Sequence, residues 1–84
     1  MDIKENIELR VLLLAIYKKQ ENDTFLDVIK TMENSRVFNL KTGKKYLKRL
    51  KELNYIVDDS LTLIGIQKAK EVEQEFVLWV HYSW

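Results

Sequence analysis

The sequence predicts a mainly α-helical domain carrying one small β-hairpin. Three observations lead there. The 84-residue chain has no proline and only two glycines, Gly43 and Gly65, too few for the tight turns of an all-β domain. Apolar residues recur at helical spacing in four stretches. Two short segments, Tyr55-Ile56-Val57 and Leu61-Thr62-Leu63, flank the turn-forming Asp58-Asp59-Ser60. The length restricts the chain to a single domain, residues 1–84, with one core. A hydrophobic content of 46% with 32% charged residues fits a folded globular chain and argues against disorder.

The first helix is expected over residues 3–19. Ile3, Ile7, Val11 and Leu14 recur at helical intervals, and Leu12, Leu13 and Ile16 widen the stripe, marking this helix as the most buried. Asp2, Glu5 and Glu8 come early and Lys18 and Lys19 late, the order that the helix dipole favours. Gln20-Glu21-Asn22-Asp23 is a polar break. A second helix is expected over 24–33, capped by Asp23 or Thr24, with Asp27 placed to complete a capping box. Its buried face is Phe25, Val28, Ile29 and Met32, and Asn34 and Ser35 end it. A third helix, 40–53, starts after the N-cap candidate Asn39 and ends before Asn54, a residue that tolerates the left-handed conformation needed there. The hairpin occupies 55–63 and a last helix 64–82.

Several chemistries are excluded or disfavoured. Without cysteine there is no disulfide, thiolate nucleophile or cysteine-ligated zinc. His81 is the sole histidine, set among aromatics with no acid closer than Glu75, so no metal is expected. Asp58-Asp59-Ser60 lacks the length and terminal glutamate of a calcium loop. Glu71 and Glu75 share a helix face and Glu73 does not, a pattern expected of a solvated face. Ser35, Ser60 and Ser83 have no base partner for nucleophilic catalysis. Lys41-Thr42-Gly43-Lys44-Lys45 lacks the glycine spacing of a phosphate-binding loop. The expectation is a protein with no enzyme activity, no cofactor and no evident small-molecule ligand. The longest apolar run, Val11 to Tyr17, is too short to span a bilayer, and Met1-Asp2-Ile3-Lys4-Glu5 alternates in charge, unlike a secretion signal. A cytoplasmic location without membrane attachment is expected.

Charge distribution is the informative feature. The net charge of +1 conceals seven bases between residues 34 and 51 (Arg36, Lys41, Lys44, Lys45, Lys48, Arg49 and Lys51) with no acid among them. On a helical wheel, Leu40, Gly43, Tyr46, Leu47, Leu50 and Leu53 fill one arc of the third helix. The six bases from Lys41 to Lys51 fill the complementary arc, joined by the acid Glu52. A solvated face ordinarily mixes both signs, whereas Lys41–Lys45 and Lys44–Lys48 are repulsive i, i+4 pairs. A polyanion would relieve that repulsion, and nucleic-acid phosphates are the commonest such partner. An acidic protein partner and a merely solvated face are the alternatives.

The residues also resemble a known superfamily. Tyr46-Leu47-Lys48-Arg49-Leu50-Lys51-Glu52-Leu53-Asn54-Tyr55-Ile56 looks like the end of the recognition helix and the first wing strand of winged helix-turn-helix regulators of the PadR and MarR type. Leu61-Thr62-Leu63-Ile64-Gly65 resembles the segment that closes the wing, and Leu9 to Ile16 the apolar first helix. The likeness spans roughly residues 7 to 75. It implies a winged helix-turn-helix with a three-helix core, a short wing and a C-terminal helix. It further implies double-stranded DNA binding, with the third helix in the major groove, as a small transcriptional regulator. On this chain Lys41, Thr42, Lys44 and Lys45 would approach base edges, Lys48 and Arg49 would meet phosphates, and Arg36 would clamp a phosphate ahead of the helix. Three features depart from the pattern. The 34–39 connection is long, Lys44 stands where a tyrosine is frequent, and the short wing carries Asp58 and Asp59 at its tip, which phosphates would repel. A winged-helix adaptor docking an acidic partner, or a non-specific nucleic-acid binder, would share the fold.

The C-terminal segment is rich in apolar and aromatic residues. Ile66, Ala69, Val72, Phe76, Val77 and Val80 form a stripe, extended by Leu78, Trp79, Tyr82 and Trp84. A small monomer has little surface to cover all of these, so a homodimer interface through Phe76, Val77, Trp79, Val80 and Trp84 is expected. A helix that completes the monomer core is the alternative.

Overall fold

The computed structural model describes residues 6–19 and 22–83, with side chains as far as residue 76. Four helices and one hairpin follow in the order α1 (Ile7–Lys18), α2 (Phe25–Asn34), α3 (Leu40–Glu52), β1 (Ile56–Val57), β2 (Ser60–Leu61) and α4 (Leu63–Ser83). β1 and β2 pair antiparallel, Ile56 opposite Leu61 and Val57 opposite Ser60. The architecture is mainly helical with a small two-stranded hairpin.

Asn6 is extended, and its side chain accepts the Leu9 N–H at 3.0 Å. The helix therefore begins at Ile7 and does not run unbroken from residue 3; residues 3–5 lie outside the described residues. The buried face of α1 also differs from the expected stripe. Leu9, Leu12, Leu13 and Ile16 are buried, whereas Ile7 is 63% exposed and Val11 and Leu14 are half-buried. Both stripes of this helix are apolar. Contact with α2, α3 and α4 decides which one enters the core.

α2 opens with a complete capping box. Asp27 N–H donates to Thr24 Oγ1 at 3.1 Å, and Thr24 N–H donates to Asp27 Oδ2 at 3.0 Å. Replacing Thr24 with alanine is expected to lower stability by about 1 kcal/mol, read from the urea midpoint. The hydrogen bond from the Thr24 backbone holds the Asp27 carboxyl below the usual carboxylate range. A depressed folded-state pKa adds stability above the unfolded pKa and loses it as pH falls through the folded value. The stability gap between wild type and Asp27→Asn is accordingly expected at neutral pH and should close below about pH 4.

α2 and α3 terminate in the same way. Beyond α2, Arg36 is left-handed (φ 61), and the N–H groups of Arg36 and Val37 donate to the carbonyls of Glu33 and Met32. Beyond α3, Asn54 is left-handed (φ 63), and the Asn54 and Tyr55 N–H groups donate to Lys51 and Leu50. The chain then turns into the hairpin. Thr62 fastens the far side: its N–H donates to the Tyr55 carbonyl, its hydroxyl donates to the Asn54 carbonyl, and that hydroxyl oxygen accepts the Gly65 N–H. The Leu-Thr-x-x-Gly pattern is thus a helix cap joined to a close approach. A Cβ on Gly65 would fall against the Tyr55 carbonyl, 2.8 Å from its carbon.

Leu50 of α3, Ile56 of β1 and Ala69 and Val72 of α4 complete the core with the buried residues of α1 and α2. Phe38, in the connection before α3, is also buried. α4 crosses α1, where Lys18 pairs with Glu73 and Arg10 with Glu75, and the Arg10 guanidinium lies 5.3 Å from the Phe76 ring centroid. The Glu73 carboxylate raises the Lys18 pKa by accepting its hydrogen bond. Lys68 pairs with Glu71. Glu71 and Glu75 are exposed, as expected of a solvated face, and each of the three glutamates also meets a base. Among the described residues no helix is long and apolar enough to cross a membrane.

Candidate nucleic-acid interface

α3 carries the basic cluster and is fixed at its start by two independent acceptors. Asn39 Oδ1 takes the Thr42 N–H at 2.8 Å, and Glu33 Oε2, at the end of α2, takes the Leu40 N–H at 2.7 Å. Both satisfy amides that would otherwise lack partners, and the Glu33 carboxylate also suits the positive end of the helix dipole. The Glu33 contact spans seven residues of chain and two elements, so no local pattern announces it.

One flank of α3 is locked inward. Leu50 is fully buried, Gly43 is buried, and Leu40, Tyr46 and Leu47 pack partly buried against the core. A Cβ on Gly43 would sit 2.5 Å from Ile29 Cγ2 and 2.7 Å from Phe38 Cε1, which measures how closely α3 approaches α2. The Tyr46 ring meets Phe38 edge to face (centroids 5.6 Å apart, planes at 74°). Its hydroxyl donates to Glu8 Oε2 at 2.9 Å, with Asn6 Nδ2 at 3.4 Å. The start of α1 thereby fixes the rotation of α3 about its own axis. Sequence reasoning placed Tyr46 on the apolar arc and missed this polar link, since Glu8 stands 38 positions away.

The opposite flank faces outward. Lys41, Lys44, Lys45, Lys48 and Lys51 are all exposed, and among the described residues none of them forms an ion pair. Thr42 and Arg49 are half-buried, and Arg49 pairs with Glu52 at 3.1 Å. Arg36 is exposed in the bend before α3. All seven residues singled out from the sequence thus lie on α3 or just ahead of it. Lys51 joins their surface. Lys45, Lys48, Arg49 and Glu52, with Leu9 and Tyr46, also line an open groove of about 340 Å³ between α3 and α1.

Ammonium groups crowded on one face of a helix repel one another, and the acids of α4 that could have offset them are turned toward α1 or their own helix. The arrangement is a helix anchored on one flank and bearing exposed cations on the other, a geometry that can meet a repeating polyanion. No group of three or more His, Cys, Asp or Glu able to hold a metal occurs among the described residues. Of the residues expected at a dimer interface, Phe76 is half-buried beneath Arg10, while the side chains of Val77, Trp79, Val80 and Trp84 lie outside those described. Comparison with protein-family models, curated proteins and solved structures finds no match for the chain.

Proposed function

We propose that this chain is a small winged helix-turn-helix protein that binds double-stranded DNA as a homodimeric transcriptional regulator. α2 and α3 form the helix-turn-helix, the β1–β2 hairpin is a reduced wing, and α3 enters the major groove. The observation that carries the reading is the five exposed lysines of α3, outside any ion pair among the described residues, opposite a flank anchored to the core. Lys41, Thr42, Lys44 and Lys45, near the start of α3, read or approach base edges. Lys48 and Arg49 neutralise phosphates, Arg49 exchanging Glu52 for the DNA backbone. Lysine lacks the planar fork of arginine, so base discrimination is modest. The test is a mobility-shift titration of duplex DNA at several salt concentrations, for which a steep negative dependence of affinity on salt is expected. Salt-independent binding, or none, rejects the reading.

Arg36 gives an independent check. An arginine held left-handed at φ 61 is strained by about 1 kcal/mol, yet a glycine there would be unstrained. A strained arginine at this exposed position supports a role for its side chain in contact with phosphate. Arg36→Gly is expected to raise stability by up to about 1 kcal/mol and to weaken DNA binding severalfold. A variant that gains stability with unchanged affinity removes Arg36 from the interface.

Dimerisation through α4 is supported by the apolar surface beside it. Ile7 is 63% exposed and, with Arg10, Glu75 and Phe76, lines a groove of about 340 Å³. Two copies joined there would present two α3 helices to half-sites about one DNA turn apart. Sedimentation should find a dimer at micromolar protein and a monomer for the chain ending at Gln74. A wild-type monomer refutes the dimer.

A further inference from the structure

The hairpin differs from α3 in every respect that matters for a partner. Between Leu53 and Gln67 the only charged residues are Asp58 and Asp59, both exposed at the turn. Among the described residues, three of the five exposed large apolar side chains lie in this same stretch: Val57 (53%), Leu63 (82%) and Ile64 (58%). Val57 is on β1, and Leu63 and Ile64 form the first turn of α4, which packs against β2. Beside Val57, an open groove of about 490 Å³ lies between the hairpin and the end of α3, lined by Lys51, Asn54, Ile56, Val57, Asp58 and Thr62.

This surface does not suit phosphate. The two carboxylates repel it, and the C-terminus of α3 adds the negative end of its dipole at Asn54. Apolar side chains exposed this far lower solubility unless something covers them. We propose that the hairpin and the first turn of α4 dock a second protein, through a segment that presents apolar residues beside lysine or arginine. The apolar side chains would cover Val57, Leu63 and Ile64, and the cations would meet Asp58 and Asp59. Charge selects the partner: the acidic tip rejects acidic segments, while Lys51 at the groove edge confines the cations to the hairpin side. This docking is separate from DNA binding by α3 and stands or falls independently of it.

The probes are two synthetic amphipathic helical peptides, one of leucine and lysine and one of leucine and glutamate. Each is titrated into the full isotope-labelled chain and followed by amide chemical shifts. The lysine peptide is expected to saturate with shifts centred on Val57, Asp58, Asp59, Ser60, Leu63 and Ile64, and the glutamate peptide to leave them unmoved. Asp58→Asn with Asp59→Asn should weaken the lysine peptide roughly tenfold, since cross-interface charge pairs are being removed. Asparagine tolerates the left-handed backbone at position 58 (φ 50), so the fold is retained. Ile64→Ser tests the apolar contribution at an exposed site. Shifts centred on α1 or on Glu71 and Glu75, equal response to both peptides, or no saturable response overturns the proposal. Unchanged DNA binding by the Asp58→Asn, Asp59→Asn variant separates this outcome from any failure of α3.

Discussion

Replacing Lys44 and Lys48 together with alanine will weaken duplex DNA binding by roughly 10- to 100-fold at about 0.1 M salt and flatten its salt dependence by one to two units of slope. The magnitude follows from counterion release, because each phosphate neutralised contributes about 0.9 to the slope of log affinity against log salt. Both side chains are exposed, and neither forms an ion pair among the described residues, so their loss leaves the core untouched. The two residues form a repulsive i, i+4 pair, and removing both should leave stability level or slightly raised. Weaker binding with unchanged or higher stability is therefore the pattern of a surface that serves a partner. Equal affinity and slope for the variant would show that α3 does not carry the DNA.

Gly65→Ala will destabilise the domain more than Gly43→Ala, although both add the same methyl group to a helix. At Gly65 the new Cβ meets the Tyr55 backbone carbonyl, which β1 and the Thr62 hydrogen bond hold in place. The strain can be relieved only by moving the start of α4 away from the hairpin, and a loss of about 2–4 kcal/mol is expected. At Gly43 the obstacles are Ile29 Cγ2 and Phe38 Cε1, side-chain atoms of buried residues, so the overlap is taken up by side chains shifting between α2 and α3 and not by a hydrogen-bonded backbone. Alanine also gains about 1 kcal/mol in helix propensity there, so the net loss should stay near 1–2 kcal/mol. Urea denaturation of the two variants decides the order. A domain of this size has a small stability margin, so Gly65→Ala is expected to be partly unfolded at 37 °C. A smaller loss at Gly65 than at Gly43 would mean that the hairpin yields more readily than its hydrogen bonds imply.

The local devices of this fold could be read from adjacent residues. The Thr24–Asp27 box, the Asn39 cap and the left-handed Asn54 each involve partners a few positions apart, where residue type and spacing suffice, whereas Gly65 was legible only through the family resemblance, because its neighbour is the Tyr55 carbonyl. Arg36 was legible as a base but not as a left-handed residue, because arginine carries no preference for that conformation. Phe38 escaped the reading for a different reason. It belongs to no periodic stripe, and its burial comes from the gap that Gly43 leaves between α2 and α3. The candidate site was legible in composition, since seven bases without an acid in 18 residues need no coordinates to be noticed.

By itself the sequence determined the helical class, the hairpin, the starts of α2 and α3 and the division of α3 into an oily and a basic face. These follow from short-range sterics and from periodicity, which act within a few residues. Only the tertiary structure decided which apolar stripe of α1 enters the core. It also decided that Glu73 and Glu75 meet bases of α1, and that Tyr46 reaches back to Glu8 to hold α3 in its orientation. Those outcomes depend on which surfaces meet when the helices pack. Partner choice among many charged groups is set by distance in space, and residues 38 or 65 positions apart acquire that distance only when the core closes.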